Sequence, residues 1–307
     1  MTCIHDHPET FATTAIAGFA SLNARTVRAV TGGVVRATAT PDGKVAVVVG
    51  GGSGHYPAFA GFVGPGFADA AVAGDVFASP SAHGVAHVSR LAHRGGGILL
   101  GFGNYAGDVM NFGLAAERLR SEGIDVRILP VTDDVASAPV DQPEKRRGVA
   151  GDLVVFKIVG AAAEAGCSLD EVERIARQAN ARTVSFGVAF TGCTLPGATE
   201  PLFTVPEQRM GIGLGIHGEP GISEDAILPA KDLAKLLVDR LLAEKPAASN
   251  GRVAVLLNGL GCTKYEEMFV LWVSIEAALK AAGLSIIAPE AGEFVTSLDM
   301  AGCSLTL

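Results

Sequence analysis

The chain has 307 residues, room for two domains or lobes, and its 49% hydrophobic and 18% charged residues supply a large core. A net charge of −8 argues against a nucleic-acid binder, and no apolar run is long enough to span a bilayer. The 39 glycines call for many tight turns and close backbone approaches.

Strand-like and helix-like stretches alternate along most of the length, so the expected fold class is α/β. Two α/β lobes are expected, each with a central sheet flanked by helices. Residues 13–30 read as an opening helix. Strands over 34–38 and 44–49 flank the turn signal Pro41-Asp42-Gly43. A helix over 82–93 and a short buried strand over 98–100 follow. Residues 108–120 read as a helix with Val109, Phe112, Ala116 and Leu119 at core spacing. A strand over 126–131 and an apolar helix over 152–165 come next, and Ser168 with Glu171 gives a capping-box pattern for another helix. The alternation restarts past Ala181, so the expected lobes are 1–181 and 182–307. The second lobe reads as a strand over 184–190, a Gly/Pro-rich segment over 192–221 and a helix over 230–242. A strand over 252–257, a helix over 264–281 and a strand over 284–288 complete it. The chain stops at a strand-like SLTL without a polar tail, a pattern compatible with a piece of something longer.

Cys3, Cys167, Cys193, Cys262 and Cys303 are widely spaced with no CxxC, which points to a reducing compartment without disulfides or structural zinc. The N-terminal MTCIHDHPETF has no apolar signal core, so the expected location is the cytoplasm. Cys3, His5 and His7 alternate near the N-terminus, and His83 and His87 have helical i,i+4 spacing. Neither set has the further ligands of a metal site, and no metal is expected.

Five segments bear on chemistry. In VAVVVGGGSG, residues 45–54, a buried strand runs into glycines and His55. It is either a tight strand-to-helix turn or a surface for a polar ligand at a strand end, and it lacks the lysine of a P-loop. In ILLGFGNYAGD, residues 98–108, Gly101, Gly103 and Ala106 formally satisfy a dinucleotide fingerprint, with Asp133 and Asp134 lying beyond the usual spacing. Asp108 there is either a helix cap or a base for a hydroxyl. In GIGLGIHGEPG, residues 211–221, His217 sits among glycines on an irregular loop. A lone histidine is more often a surface or core residue, but the glycine density favours close approach to a ligand. A neutral imidazole can attack an electrophilic carbon, and Glu219 is placed to fix its tautomer. NGLGCT, residues 258–263, reads as a packing turn, while DVFASPS, residues 75–81, offers small hydroxyls for a polar pocket.

The stretch GGGSGHYPAFAGFVGPGFADAAVAGDVFASPS, with GNYAGDVMNFGLA, GIGLGIHGEPG, LLNGLG and TSLDMAGCSLTL in that order, resembles the dihydroxyacetone kinase K-subunit family across nearly the whole chain. The resemblance implies a two-lobe α/β homodimer that binds a short ketose covalently. It implies that His217 attacks the ketone carbon to form a hemiaminal. Asp108 would activate the terminal hydroxyl, and His55 would hydrogen-bond the substrate. Gly52, Ser53, Ser79 and Gly103 would line the ketose. It places ATP and Mg2+ on a separate nucleotide-bearing L domain or subunit, so none is expected on this chain. Two positions depart from the family pattern: Tyr56 replaces a common Glu and Gly103 a common Lys. Both departures resemble a branch acting on larger ketoses such as erythrulose. The alternatives are a non-catalytic ketose-sensing paralogue and, from the glycine pattern alone, a nicotinamide-dependent oxidoreductase.

Overall fold

The computed structural model describes residues 2–246 and 248–307. The chain folds as two compact units. His5–Val131 with Asp152–Ala181 form the first; Thr132–Gly151 and Arg182–Leu307, with the first few residues, form the second. A single boundary near Ala181 therefore gives way to several crossings. The physical reason is Ser185, whose N–H donates to the Asp133 carbonyl at 2.7 Å and ties the 132–151 segment to the second unit's sheet.

The first unit contains β1 (Val27–Val30), β2 (Gly33–Arg36), β3 (Ala46–Ser53), β4 (Ala70–Val76), β5 (Ile98–Gly103) and β6 (Val126–Val131). They form one sheet in the order β1-β2-β4-β3-β5-β6. The β4-β3-β5-β6 portion is parallel, and β1 and β2 join it antiparallel. The uninterrupted apolar runs of β3 and β5 are what a parallel strand covered on both faces requires. Its helices are α1 (Phe11–Leu22), α2 (Ala82–Ala92), α3 (Ala106–Ser121), α4 (Gly151–Glu164) and α5 (Leu169–Asn180). Ser81 caps α2 by accepting from the Gly84 N–H, and Ser168 caps α5 by accepting from Glu171. Val48, Ile98 and Leu100 of the sheet pack with Val85 of α2 and with Phe112 and Leu119 of α3 in one core. Each such side chain contributes about 1.5–3 kcal/mol by leaving water.

The opening helix is shorter than its apolar pattern. It ends at Leu22, where the Asn23 side chain and N–H both turn back to the Phe19 carbonyl. Residues 27–30 instead pair with 33–36 in a two-residue hairpin, with Gly32 at φ 85°. On α3, Phe112, Ala116 and Leu119 are buried as expected, but Val109 is 47% exposed. Asp108, not Val109, sets the phase of the buried face.

The second unit contains β7 (Ser185–Ala189), β8 (Arg209–Ile212), β9 (Ser223–Ala226), β10 (Arg252–Gly259), β11 (Ser285–Glu293) and β12 (Gly302–Thr306). The order is β11-β10-β12-β7-β8-β9, with β10 and β11 parallel and the other pairs antiparallel. Two helices, α6 (Ala230–Leu242) and α7 (Tyr265–Ala281), bury Leu237, Leu241, Leu271 and Ile275 against it. The strand β8 lies inside the segment that reads as a Gly/Pro-rich loop, and the fully exposed β9 follows it. Both are only four residues long, too short for an alternating pattern to show.

NGLGCT proves to be a packing feature. Asn258 is fully buried on β10; its side-chain oxygen accepts from the Phe294 and Val295 N–H groups at 2.8 and 3.0 Å. Its amide donates to the Val295 carbonyl at 2.8 Å. Truncating it strands two backbone donors and an acceptor. Asn258→Ala is therefore expected to cost about 2–4 kcal/mol in urea unfolding, with the slope of the transition unchanged.

Candidate functional site

In the first unit the carboxyl ends of parallel β3, β4 and β5 deliver the predicted residues together. This is where an open parallel sheet presents ligand-binding loops. Ser79 follows β4, and its hydroxyl donates to the Asp108 carboxylate at 2.9 Å while the Asn111 amide donates to the Ser79 oxygen at 3.3 Å. Asp108 is buried in the first turn of α3, where the helix's unpaired N–H groups favour a carboxylate. The loop after β4 can approach because position 107 is glycine: a Cβ there would stand 3.1 Å from that of Ser79. His55 follows β3, is 2% exposed, and stacks on Phe77 with centroids 5.0 Å apart. Phe77 is held by its N–H to the Ser53 carbonyl at 2.9 Å. The Ser53 hydroxyl donates to the Gly74 carbonyl at 2.7 Å, which fixes β3 to β4 and leaves that oxygen only an acceptor role. Gly52 abuts the 77–78 backbone, and Gly103 closes β5.

His217 stands on the second unit, in the loop between β8 and β9. That loop has no ladder of its own; the Gly218 N–H donates to the Gly215 carbonyl at 3.0 Å, and the Glu219 side chain ties the turn to His217. One carboxylate oxygen meets the His217 Nδ1 at 2.8 Å; the other accepts the His217 backbone N–H at 3.0 Å. Burial works against the Glu219 charge, but the hydrogen bond and charge of His217 outweigh it and hold the carboxyl at about 2. An ionised carboxylate only accepts, so Nδ1 carries the hydrogen, and the neutral form of the ring has its lone pair on Nε2. The same peptide is held from its other side, where buried Ser297 donates to the Ile216 carbonyl. Gly218 then turns the chain at φ 83°, at a point where a Cβ would stand 2.2 Å from the Phe203 ring.

Two residues of this arrangement have no signal in the sequence. Ser297 lies 81 positions from the carbonyl it holds, and Arg147, whose guanidinium stands 4.0 Å from Glu219, sits in an unremarkable KRRG run. Only long-range folding brings either to His217.

The dinucleotide pattern resolves differently. A Cβ on Gly101 would lie 2.6 Å from the Phe156 ring, so its glycine admits a helix side chain rather than a pyrophosphate. Asp133 accepts from the Val149 and Gly151 N–H groups at 2.8 and 2.7 Å, and burial pushes its carboxyl up to about 6. Asp134 pairs with Arg147. Both acids hold their own chain. His83 faces the Arg118 guanidinium at 3.5 Å, and among the described residues no cluster of three His, Cys, Asp or Glu is arranged to hold a metal. No helix among them is long and apolar enough to cross a membrane.

A D-erythrulose kinase of Mycolicibacterium smegmatis is 59% identical over all of this chain, which spans 53% of that protein's length. Among solved structures, the dihydroxyacetone kinase of C. freundii superposes with a TM-score of 0.88 at 38% identity, covering 99% of this chain and 56% of that one. A dihydroxyacetone kinase operon co-activator superposes at 0.89 with 32% identity, covering 97% and 92%. The Dak1 domain pattern itself matches residues 17–307, and the chain belongs to the Dak1 domain family.

Proposed function

We propose that this chain is the ketose-binding domain of a short-ketose kinase. In this reading His217 carries the ketose as a hemiaminal while a nucleotide-bearing L domain phosphorylates a terminal hydroxyl. The observation that carries it is the Glu219 contact, which sets a carboxylate on His217 Nδ1 and so favours the neutral tautomer with its lone pair on Nε2. Nε2 adds to the ketone carbon, the carbonyl π pair moves to oxygen, and that oxygen takes a proton. The positive charge appearing on the ring faces the Glu219 carboxylate, and release of the Nδ1 proton leaves a neutral adduct. Asp108 then accepts the proton of the terminal hydroxyl as its oxygen attacks the terminal phosphorus of ATP and ADP leaves. Ser79 orients Asp108, and His55 hydrogen-bonds the substrate. Gly52 and Gly103 shape its surroundings, with Ser53 holding the strand ends. The chain acts as a homodimer alongside the L domain.

A carbonyl is a sharper criterion than a count of hydroxyls, because glycerol has none to be captured. Absence of a lysine at Gly103 removes a cation and its bulk, which suits a four-carbon ketose; the erythrulose kinase relative supports the same preference. The co-activator neighbour supports a second reading, a ketose sensor acting on a regulator, and phosphoryl transfer separates the two.

In the full-length protein, or with an L partner, ATP and magnesium, erythrulose is expected to give a higher kcat/KM than dihydroxyacetone, and glycerol none. His217→Ala is expected to abolish turnover and Asp108→Asn to lower kcat by about 10²–10⁴-fold. Full activity in both variants would overturn the mechanism, and no transfer to any ketose would favour the sensor. Acid should loosen the histidine loop in a defined window. Glu219 is held at about 2 against an ordinary 4.5, so the stability it contributes is complete above pH 4.5 and is lost as pH falls toward 2. Urea midpoints between those limits are expected to fall less steeply in Glu219→Gln than in the parent protein.

A further inference from the structure

Glu219 fixes the ring of His217, yet a carboxylate can do so only while it stays ionised and in place. We propose that Arg147 is a positioning residue for His217, acting through Glu219 to keep the hydrogen on Nδ1. The proposal rests on the reading of His217 as the ketose anchor.

The Arg147 side chain is 13% exposed and anchored at the foot of the histidine loop. Its Nε and Nη2 meet the Asp134 carboxylate at 2.9 and 2.7 Å, and Nη2 also donates to the Gly213 carbonyl at 3.1 Å. Its backbone is fixed as well: the N–H donates to Ser137 Oγ at 2.9 Å, and the carbonyl accepts from the Asp134 N–H at 3.1 Å. With the rest of the fork committed, Nη1 faces Glu219 Oε2 at 4.0 Å, a charge contact longer than a hydrogen bond. That is the oxygen accepting the His217 N–H, so the cation draws on one end of the carboxylate and leaves Oε1 to the ring.

Gly215 is a second, independent sign that this approach is built in. A Cβ there would lie 2.1 Å from Glu219 Oε2 and 2.5 Å from Arg147 Nη1. Any side chain at 215 would wedge the cation and the carboxylate apart. The approach also has a chemical purpose. Asp134 is a second carboxylate beside the same guanidinium, so Arg147 ties Glu219 of the histidine loop to a buried acid outside it. Without the cation, Oε2 is left to the His217 N–H, and a carboxylate that swings off the ring no longer selects Nδ1. With the ring hydrogen on Nε2, the nucleophilic lone pair would be gone. Arg147 prevents that inversion.

The test reads the tautomer directly, by nitrogen NMR of the His217 ring in ketose-free protein, with His217→Ala assigning the signal. The parent protein is expected to show a protonated Nδ1 and a bare Nε2. Arg147→Met should shift population to protonated Nε2 and lower kcat/KM by about 10²-fold. Arg147→Lys, which keeps the charge but not the fork, should recover part of both. Unchanged ring signals in folded Arg147→Met would overturn the proposal. If that variant fails to fold, Gly215→Ala should produce the same shift with Arg147 present, and an unaltered ring there would overturn it equally. The readout needs no ketose, so it stands or falls apart from the His217→Ala assay that decides whether the histidine is the anchor.

Discussion

The two-point grip of Glu219 on His217 is the contact on which the histidine loop depends. A loop leaving β8 and returning at β9 has no ladder to define it, yet a side chain proposed as a nucleophile must be held to a fraction of an ångström. One carboxylate solves both problems, because it fixes the backbone at the N–H and the ring at Nδ1. Ser297 holds the carbonyl of the same peptide, so the plane preceding His217 is fixed from both sides. The glycines around it let the chain pass close to Phe203 and Glu219, where a side chain would have no room.

The first unit reaches the same end by another route. Its chemistry rests on regular structure: three parallel strands end together, and a helix begins beyond one of them. Asp108 inherits its position from α3 and its ionised form is favoured by the helix terminus, with Ser79 and Asn111 setting the carboxylate's orientation. A carboxylate placed by a sheet and a helix needs few supporting contacts. A histidine placed by an irregular loop needs many, and they come from distant parts of the chain.

That difference explains what could be read in the sequence. Asp108, Ser79 and His55 follow strand-like runs, so the strand-to-helix pattern points to them directly. His217 is marked by its glycines and Glu219 by its nearness in sequence. Arg147 and Ser297 are invisible, because nothing local distinguishes them until the fold closes. The same limit applies to the elements. The helices at 82–92 and 230–242 follow strong periodicity, whereas the hairpin at 27–36 was hidden by apolar residues continuing a helical pattern. Val109 misleads because a buried aspartate, which hydropathy counts as surface, sets the phase of α3. Gly101 misleads because a fingerprint records only that a Cβ is absent; the atoms filling the space are those of Phe156.

Charge balance links the loop to the chemistry proposed for it. Asp134, Arg147 and Glu219 place one cation between two carboxylates, which leaves one unit of negative charge beside the imidazole. Addition of Nε2 to a carbonyl makes the ring cationic. The surplus negative charge is then matched through the Nδ1 hydrogen bond, by dipoles and charges already in place before the reaction begins. A neutral partner on Nδ1 could select the same tautomer but would not offset the charge that forms. Two carboxylates without the arginine would offset it, yet nothing would then tie Glu219 to Asp134 at the foot of the loop. The triad satisfies both demands, and the glycine at 215 is the steric condition for assembling it.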